Sequence, residues 1–216
     1  MNISELEKKI LTEYDCNKID TKPSTENELL ICYYEYTSNL YKYVRFIEKN
    51  YFLHGISNEI RAMMGHLADY RNKKETNSKR NLEKAYGHFR RANLDLLKLL
   101  CNQMDKIYFR KMQWQYKFDY RKVCNTYLLE FSQKYICAKQ KYEVAQKEEN
   151  LGTDSGVHNI FELYYNAGTE YISLKQFCDQ NEKQIRRVQV AEILKAVVVS
   201  FSGCFGIIVT ILQILG

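Results

Sequence analysis

The sequence predicts an all-α fold, a helical bundle with a long C-terminal helix continuing into a single transmembrane helix, from three observations. One proline, Pro23, and nine glycines in 216 residues leave long stretches free of helix breakers. No alternation of apolar and polar residues persists beyond a few positions, so strands are not expected. From Ala196 to Gly216 the chain reads AVVVSFSGCFGIIVTILQILG without a charge, while all 32 basic and 26 acidic side chains lie before it. As a helix this segment would measure about 31 Å at roughly 1.5 Å per residue, the thickness of a bilayer's hydrocarbon core. A buried core helix or a dimer-forming tail is the alternative reading.

The elements follow from punctuation. Leu6, Ile10 and Leu11 at helical spacing predict a first helix over 3–20. The loop around Pro23 ends at Thr25, and Glu28 three positions on completes a capping-box pattern that opens a second helix to about Phe52. Ser57 is the expected cap of a third helix, which ends near Arg71 before the polar run NKKETNS. A fourth begins near Arg80 and passes Leu100, a fifth covers about 118–149, and LGTDSG at 151–156 breaks the chain. From Val157 onward one helix is expected to run into the membrane. The division is therefore 1–150 as a helical body, 151–190 as a stalk and 191–216 as the transmembrane helix, with 18 tyrosines and 10 phenylalanines available for core or interface.

Composition narrows the functional classes. Lys183, Arg186, Arg187 and Lys195 precede the uncharged segment, which places the N-terminal body in the cytoplasm on a bacterial inner membrane. The start, MNISELEKKI, has no apolar signal core. Seven scattered cysteines without a C-x-x-C pair read as reduced thiols, not as a disulfide framework or zinc site. The net charge of +6 suits anionic lipid or RNA. No phosphate-binding glycine loop, H-E-x-x-H pair or G-x-S-x-G elbow occurs, so no cofactor, metal or small-molecule substrate is expected. The basic aromatic run YFRKMQWQYKFDYRK, 108–122, would stack on RNA bases or lie on headgroups, or else be the wet and core faces of one helix.

Two Gly-His pairs stand out, Gly65–His66 in EIRAMMGHLADYRN and Gly87–His88 in EKAYGHFRRANLDLLK. Mid-helix glycine costs roughly 1 kcal/mol relative to alanine, so each glycine is expected where another backbone comes close. Arg61 and His66 form an R-x4-H arrangement, and His88, Arg91 and Asp95 form a second cluster. The structural alternative has His66 bonding Asp69 or Tyr70 one turn on and Arg91 pairing with Asp95.

The Arg61-x4-His66 stretch, with GHFRRANLDLLK after it, resembles the HEPN superfamily over about residues 25–110. These are small helical bundles whose R-x4-6-H motif forms a metal-free ribonuclease site where two protomers meet. The resemblance implies that His66 would shuttle a proton from a ribose 2′-hydroxyl while Arg61 stabilises phosphorane charge. Two features oppose a simple transfer. Five positions along a helix set side chains about 140° apart, and Ala62 stands where the family carries a polar residue. The leaning is accordingly toward a non-enzymatic role.

The uncharged segment has a patterned circumference. Ser202, Gly203, Gly206, Thr210 and Gln213 fall within an arc of about 100°, with mostly large apolar residues elsewhere. A lone anchor needs no such stripe, whereas neighbouring membrane helices pack through one. In a ring the stripe would instead line a narrow aqueous passage. A HEPN-like body on one membrane helix resembles the membrane accessory proteins of type VI-B CRISPR systems. That implies a pore-like homo-oligomer that depolarises the membrane in antiviral defence, with RNA or an RNA-guided effector protein as partner. A membrane-tethered HEPN ribonuclease and a tail-anchored scaffold that recruits a partner are the alternatives.

Overall fold

A computed structural model describes residues 2–47, 53–72, 78–115, 123–124, 126–151 and 160–215, the side chains of 78, 114, 115 and 202–215 excepted. Those residues form helices and connecting turns, and no strand is found among them. The fold is all-α.

The first expected helix is two. Helix α1, Ile3–Glu13, is opened by a full capping box in which Asn2 Oδ1 accepts from the Glu5 N–H at 2.9 Å and the Glu5 carboxylate accepts from the Asn2 N–H at 2.8 Å. The chain turns extended at Tyr14, and the Asp15 side chain accepts from Asn17 and Lys18 N–H groups to start α2, Cys16–Asp20. The last carbonyls of α1 have no helical partner of their own. Tyr165 supplies one, its hydroxyl donating to Ile10 at 2.9 Å and Leu11 at 3.3 Å.

Thr25 caps α3, Glu26–Cys32, as its spacing predicts, through a 3.2 Å bond from the Glu28 N–H. The Glu28 carboxylate reaches Ser24, not back to Thr25 alone: it accepts from the Ser24 N–H at 2.7 Å. A π-helical turn, Tyr33–Thr37, then joins α3 to α4, Ser38–Ile47. Residues 48–52 of the expected second helix lie outside the described residues. The third helix, α5, runs His54–Asn72, with Leu53 accepting the Ser57 N–H at 2.8 Å; Ser57 sits inside the first turn rather than capping it, and its hydroxyl meets that of Tyr41.

Helix α6, Ser78–Gln115, is the spine. Leu82, Ala85, Phe89, Ala92, Leu96, Leu100, Met104 and Tyr108 recur every three or four residues and are all buried. Around it pack α4, α5, α7 (Tyr127–Asn150) and α8 (Ile160–Gln180). The segment 151–190 assigned to a stalk thus contains a helix of the body. Phe161, Tyr164, Ala167, Tyr171, Ile172 and Leu174 of α8 are buried, and α8 packs on α7 and α6 and also meets α1 and α2. Aromatic content goes into this core: Asp105 of α6 accepts hydroxyls from Tyr171 at 2.8 Å and Tyr135 of α7 at 3.1 Å. Burial, with that carboxylate beside them, pushes both phenols above the ordinary tyrosine range.

Helix α8 stops at Asn181, whose side chain bonds the Phe177 carbonyl at 2.9 Å, and α9 runs Glu182–Leu215. From Val190 to Phe201 its apolar side chains stand exposed, Val199 at 63% and Phe201 at 72%. Among the described residues no helix is long and apolar enough to cross a membrane. Ser202, Gly203, Gly206, Thr210 and Gln213 lie beyond the residues whose side chains are described.

The glycine expectation is corrected. A Cβ added at Gly65 or Gly87 would meet nothing within 4 Å, so neither marks a helix crossing. The close approach is at Gly168 of α8, where a Cβ would lie 3.1 Å from Leu100 Cδ2 of α6. Gly87→Ala is therefore expected to raise stability by about 0.5–1 kcal/mol, and Gly168→Val to lower it by about 2 kcal/mol. Paired thermal melts check both signs.

Candidate functional site

Helices α5 and α6 bring His66 and His88 face to face. Their ring centroids are 5.3 Å apart with planes inclined at 17°. His88 Nδ1 lies 2.6 Å from a Glu59 carboxylate oxygen and 3.0 Å from an Arg91 terminal nitrogen. One ring nitrogen cannot donate to the first and accept from the second. The shorter, carboxylate contact places the proton on Nδ1. Arg91 then belongs to Glu59, with its Nε 3.3 Å from the same oxygen.

Helix periodicity explains this grouping. Glu59 and His66 are seven positions apart, so they project within about 20° of each other from α5. Arg61 is exposed and donates to Asn58 at 3.2 Å, one turn back. Within one protomer Arg61 and His66 are thus on different sides of α5. His66 stacks on His88, with no hydrogen bond to Asp69 or Tyr70. Asp95 is also separate: it lines a cleft of about 400 Å³ with Leu53, Lys98 and Tyr142, and Arg91 pairs with Glu59 in its place. Burial raises the Asp95 pKa, with Glu59 and Glu149 acting the same way against Lys98 and Arg91.

Glu59 is the member that the sequence reading missed. Its signal was present, since E-x6-H at one heptad shares a face while R-x4-H does not. The cluster is an acid–imidazole pair with a second imidazole in contact. Among the described residues no group of three His, Cys, Asp or Glu side chains is placed to hold a metal ion.

His66 is held toward its neutral form. Burial lowers its pKa below 6.5, the His88 and Lys84 charges act in the same direction, and Asp69 opposes them. Folded His66 therefore takes up a proton less readily than unfolded His66, and stability is lost as pH falls below about 6.5. The His66 ring protons should titrate with a midpoint below that of free histidine by NMR. The stability difference between wild type and His66→Gln should shift against wild type on acidification from pH 7 to pH 5.

No protein-family model, curated protein or solved structure matches the chain.

Proposed function

We propose that this chain is a membrane-anchored oligomeric effector of bacterial antiviral, CRISPR-associated defence, which assembles into a pore-like ring and depolarises the inner membrane. The observation that carries the reading is α9. It starts after Asn181, packs Ile185 and Val188 against the body and continues as a helix to Leu215, with Val197, Val198, Val199 and Phe201 exposed. Covering a large apolar side chain is worth about 1.5–3 kcal/mol. Among the described residues the body buries no apolar side chain of α9 beyond Val188, so lipid or other copies of the helix would provide that cover. The span itself is completed by residues 202–216, whose sequence is uncharged.

Basic residues Lys183, Arg186, Arg187 and Lys195 support a cytoplasmic body, and the stripe from Ser202 to Gln213 supports self-association. The HEPN-like resemblance supports the defence context. In this reading Arg61 and His66 contribute to a protomer interface or a regulatory contact. Gln213→Leu and Gly206→Leu are expected to weaken depolarisation in cells carrying a potential-sensitive dye while the body folds normally. Undiminished depolarisation by both variants would remove the mechanism. Function retained with an unrelated membrane anchor would favour the partner-recruiting scaffold.

One observation favours the second reading, a membrane-tethered, metal-independent ribonuclease. A neutral imidazole, His66, stacks on His88, whose ring is held by the Glu59 carboxylate, so two groups able to carry protons are in contact. Arg61 would then reach the centre from a second protomer. RNA cleavage in EDTA that disappears in His66→Ala, Arg61→Ala and His88→Ala would support this reading, and no cleavage by oligomeric protein would end it.

A further inference from the structure

We infer that the cleft where the ends of α6 and α8 meet the starts of α7 and α9 binds a phosphate-bearing group, supplied by an anionic lipid headgroup. The lipid source rests on the membrane reading above; the cleft does not.

The cleft encloses about 410 Å³, within the usual range of small-ligand sites. Its inner wall is apolar, built from Phe131 and Ile185 with Tyr127 and Cys178. Burial pushes the Cys178 thiol up, so it stays uncharged at neutral pH and does not repel an anion. Arg110 and Lys111, exposed on the last turns of α6, stand at the rim with Arg186 of α9.

Two carboxylates also line it, Asp179 and Glu182. Arg186 lies 2.6 Å from Glu182, and Lys175 lies 2.5 Å from Asp179 while also serving Glu7 at 2.8 Å. Among the described residues no carboxylate pairs with Arg110 or Lys111. The Lys111 ammonium sits 5.0 Å from the Tyr108 ring centroid, which holds it against the body. Two cations without a carboxylate partner among the described residues, set over an apolar wall, fit a ligand that is anionic at one end and apolar at the other.

Position selects the source. The α9 residues that line the cleft, Glu182, Ile185, Arg186 and Gln189, share one face. Ala196, where the uncharged segment begins, follows Gln189 by seven residues, about 10 Å along the axis. A headgroup layer occupies roughly 5–8 Å beyond the hydrocarbon core. The near edge of the cleft, at Gln189, therefore borders that layer, on the same helix end as Lys183 and Arg187. Arg110 and Lys111 meet Arg186 here, although they lie far apart in sequence.

The test uses the full chain in detergent with equal phosphatidylglycerol and phosphatidylcholine, and bound lipid is counted by native mass spectrometry. A second arm follows the phosphorus NMR linewidth of sn-glycerol 3-phosphate in solution. Wild type is expected to retain phosphatidylglycerol preferentially, and Arg110→Gln with Lys111→Gln to weaken that retention about tenfold at unchanged melting temperature. Glycerol phosphate binding as tight as the lipid's, and lost in the same variant, would assign the cleft to a soluble phosphate and overturn the lipid source. Retention unaffected by the variant, with no broadening of glycerol phosphate, would overturn the site. Failure of the chain to float with vesicles would reject the membrane reading by itself, because the glycerol phosphate arm reads the cleft without a bilayer.

Discussion

Replacing Asn93 by alanine is expected to destabilise the fold by about 3 kcal/mol. Asn93 is fully buried on α6, where its amide ties three segments together. Its Oδ1 accepts the Tyr14 hydroxyl from the end of α1 at 3.3 Å, and its Nδ2 donates to Thr37 Oγ1 of the π-turn at 2.8 Å and to the Phe89 carbonyl at 2.9 Å. Truncation would leave the Tyr14 hydroxyl and Thr37 without this partner in a space closed to water. Each orphaned buried polar group costs about 1–3 kcal/mol. Phe89 keeps its helical donor and adds little. In a domain of this size the loss is worth about 10 °C in melting temperature. Asn93→Leu combined with Thr37→Val removes both partners of the strongest bond and should recover part of the loss. A melting temperature for Asn93→Ala within 2 °C of wild type would show that the network contributes nothing net.

The second large effect is at the buried ion pair between α1 and α8. Glu7, 4% exposed, accepts from Lys175 at 2.8 Å and from the Tyr43 hydroxyl at 3.1 Å. Burial works to lower the Lys175 pKa, but its bonds to Asp179 and Glu7 outweigh burial and hold it above the ordinary lysine value. Glu7→Ala should cost about 3 kcal/mol, because it leaves a half-buried ammonium with one partner and a buried phenol with none. Replacing the whole set by apolar groups, Glu7→Met with Lys175→Met and Tyr43→Phe, should return most of that stability. Chemical denaturation measures both. A triple variant no more stable than Glu7→Ala would show that α1 docks through the charge itself and not through filled space.

The helical class, the long central helix and the start of α3 were legible locally. They depend on residue spacing, scarce helix breakers and a Thr25–Glu28 cap, all of which act within a few residues. The interruptions were less so. Asp15 splits the first expected helix, and a π-turn shifts the register at Thr37 so that its hydroxyl faces Asn93. The buried amide that α6 presents there gives the shifted hydroxyl its partner. The same holds for α8, whose amphipathic sequence suits a stalk as well as a core until α6 and α7 cover it.

For the candidate site, the histidines were visible and their partners were not. Arg61 shares a motif with His66, yet helical geometry turns it away, and Glu59 takes its place through a heptad spacing. Glycine misled for a related reason. Sequence marks where a backbone is bare, but only the packed helices decide whether anything approaches it, and they approach at Gly168. The sequence by itself determined that this chain is helical and ends in an uncharged segment, because periodicity and charge are properties of neighbours along the chain. Tertiary structure alone decided which carboxylate meets His88, which tyrosines share Asp105, and that Arg110 and Lys111 share a cleft with Arg186. Those pairings depend on how whole helices pack, and no window of sequence contains both partners.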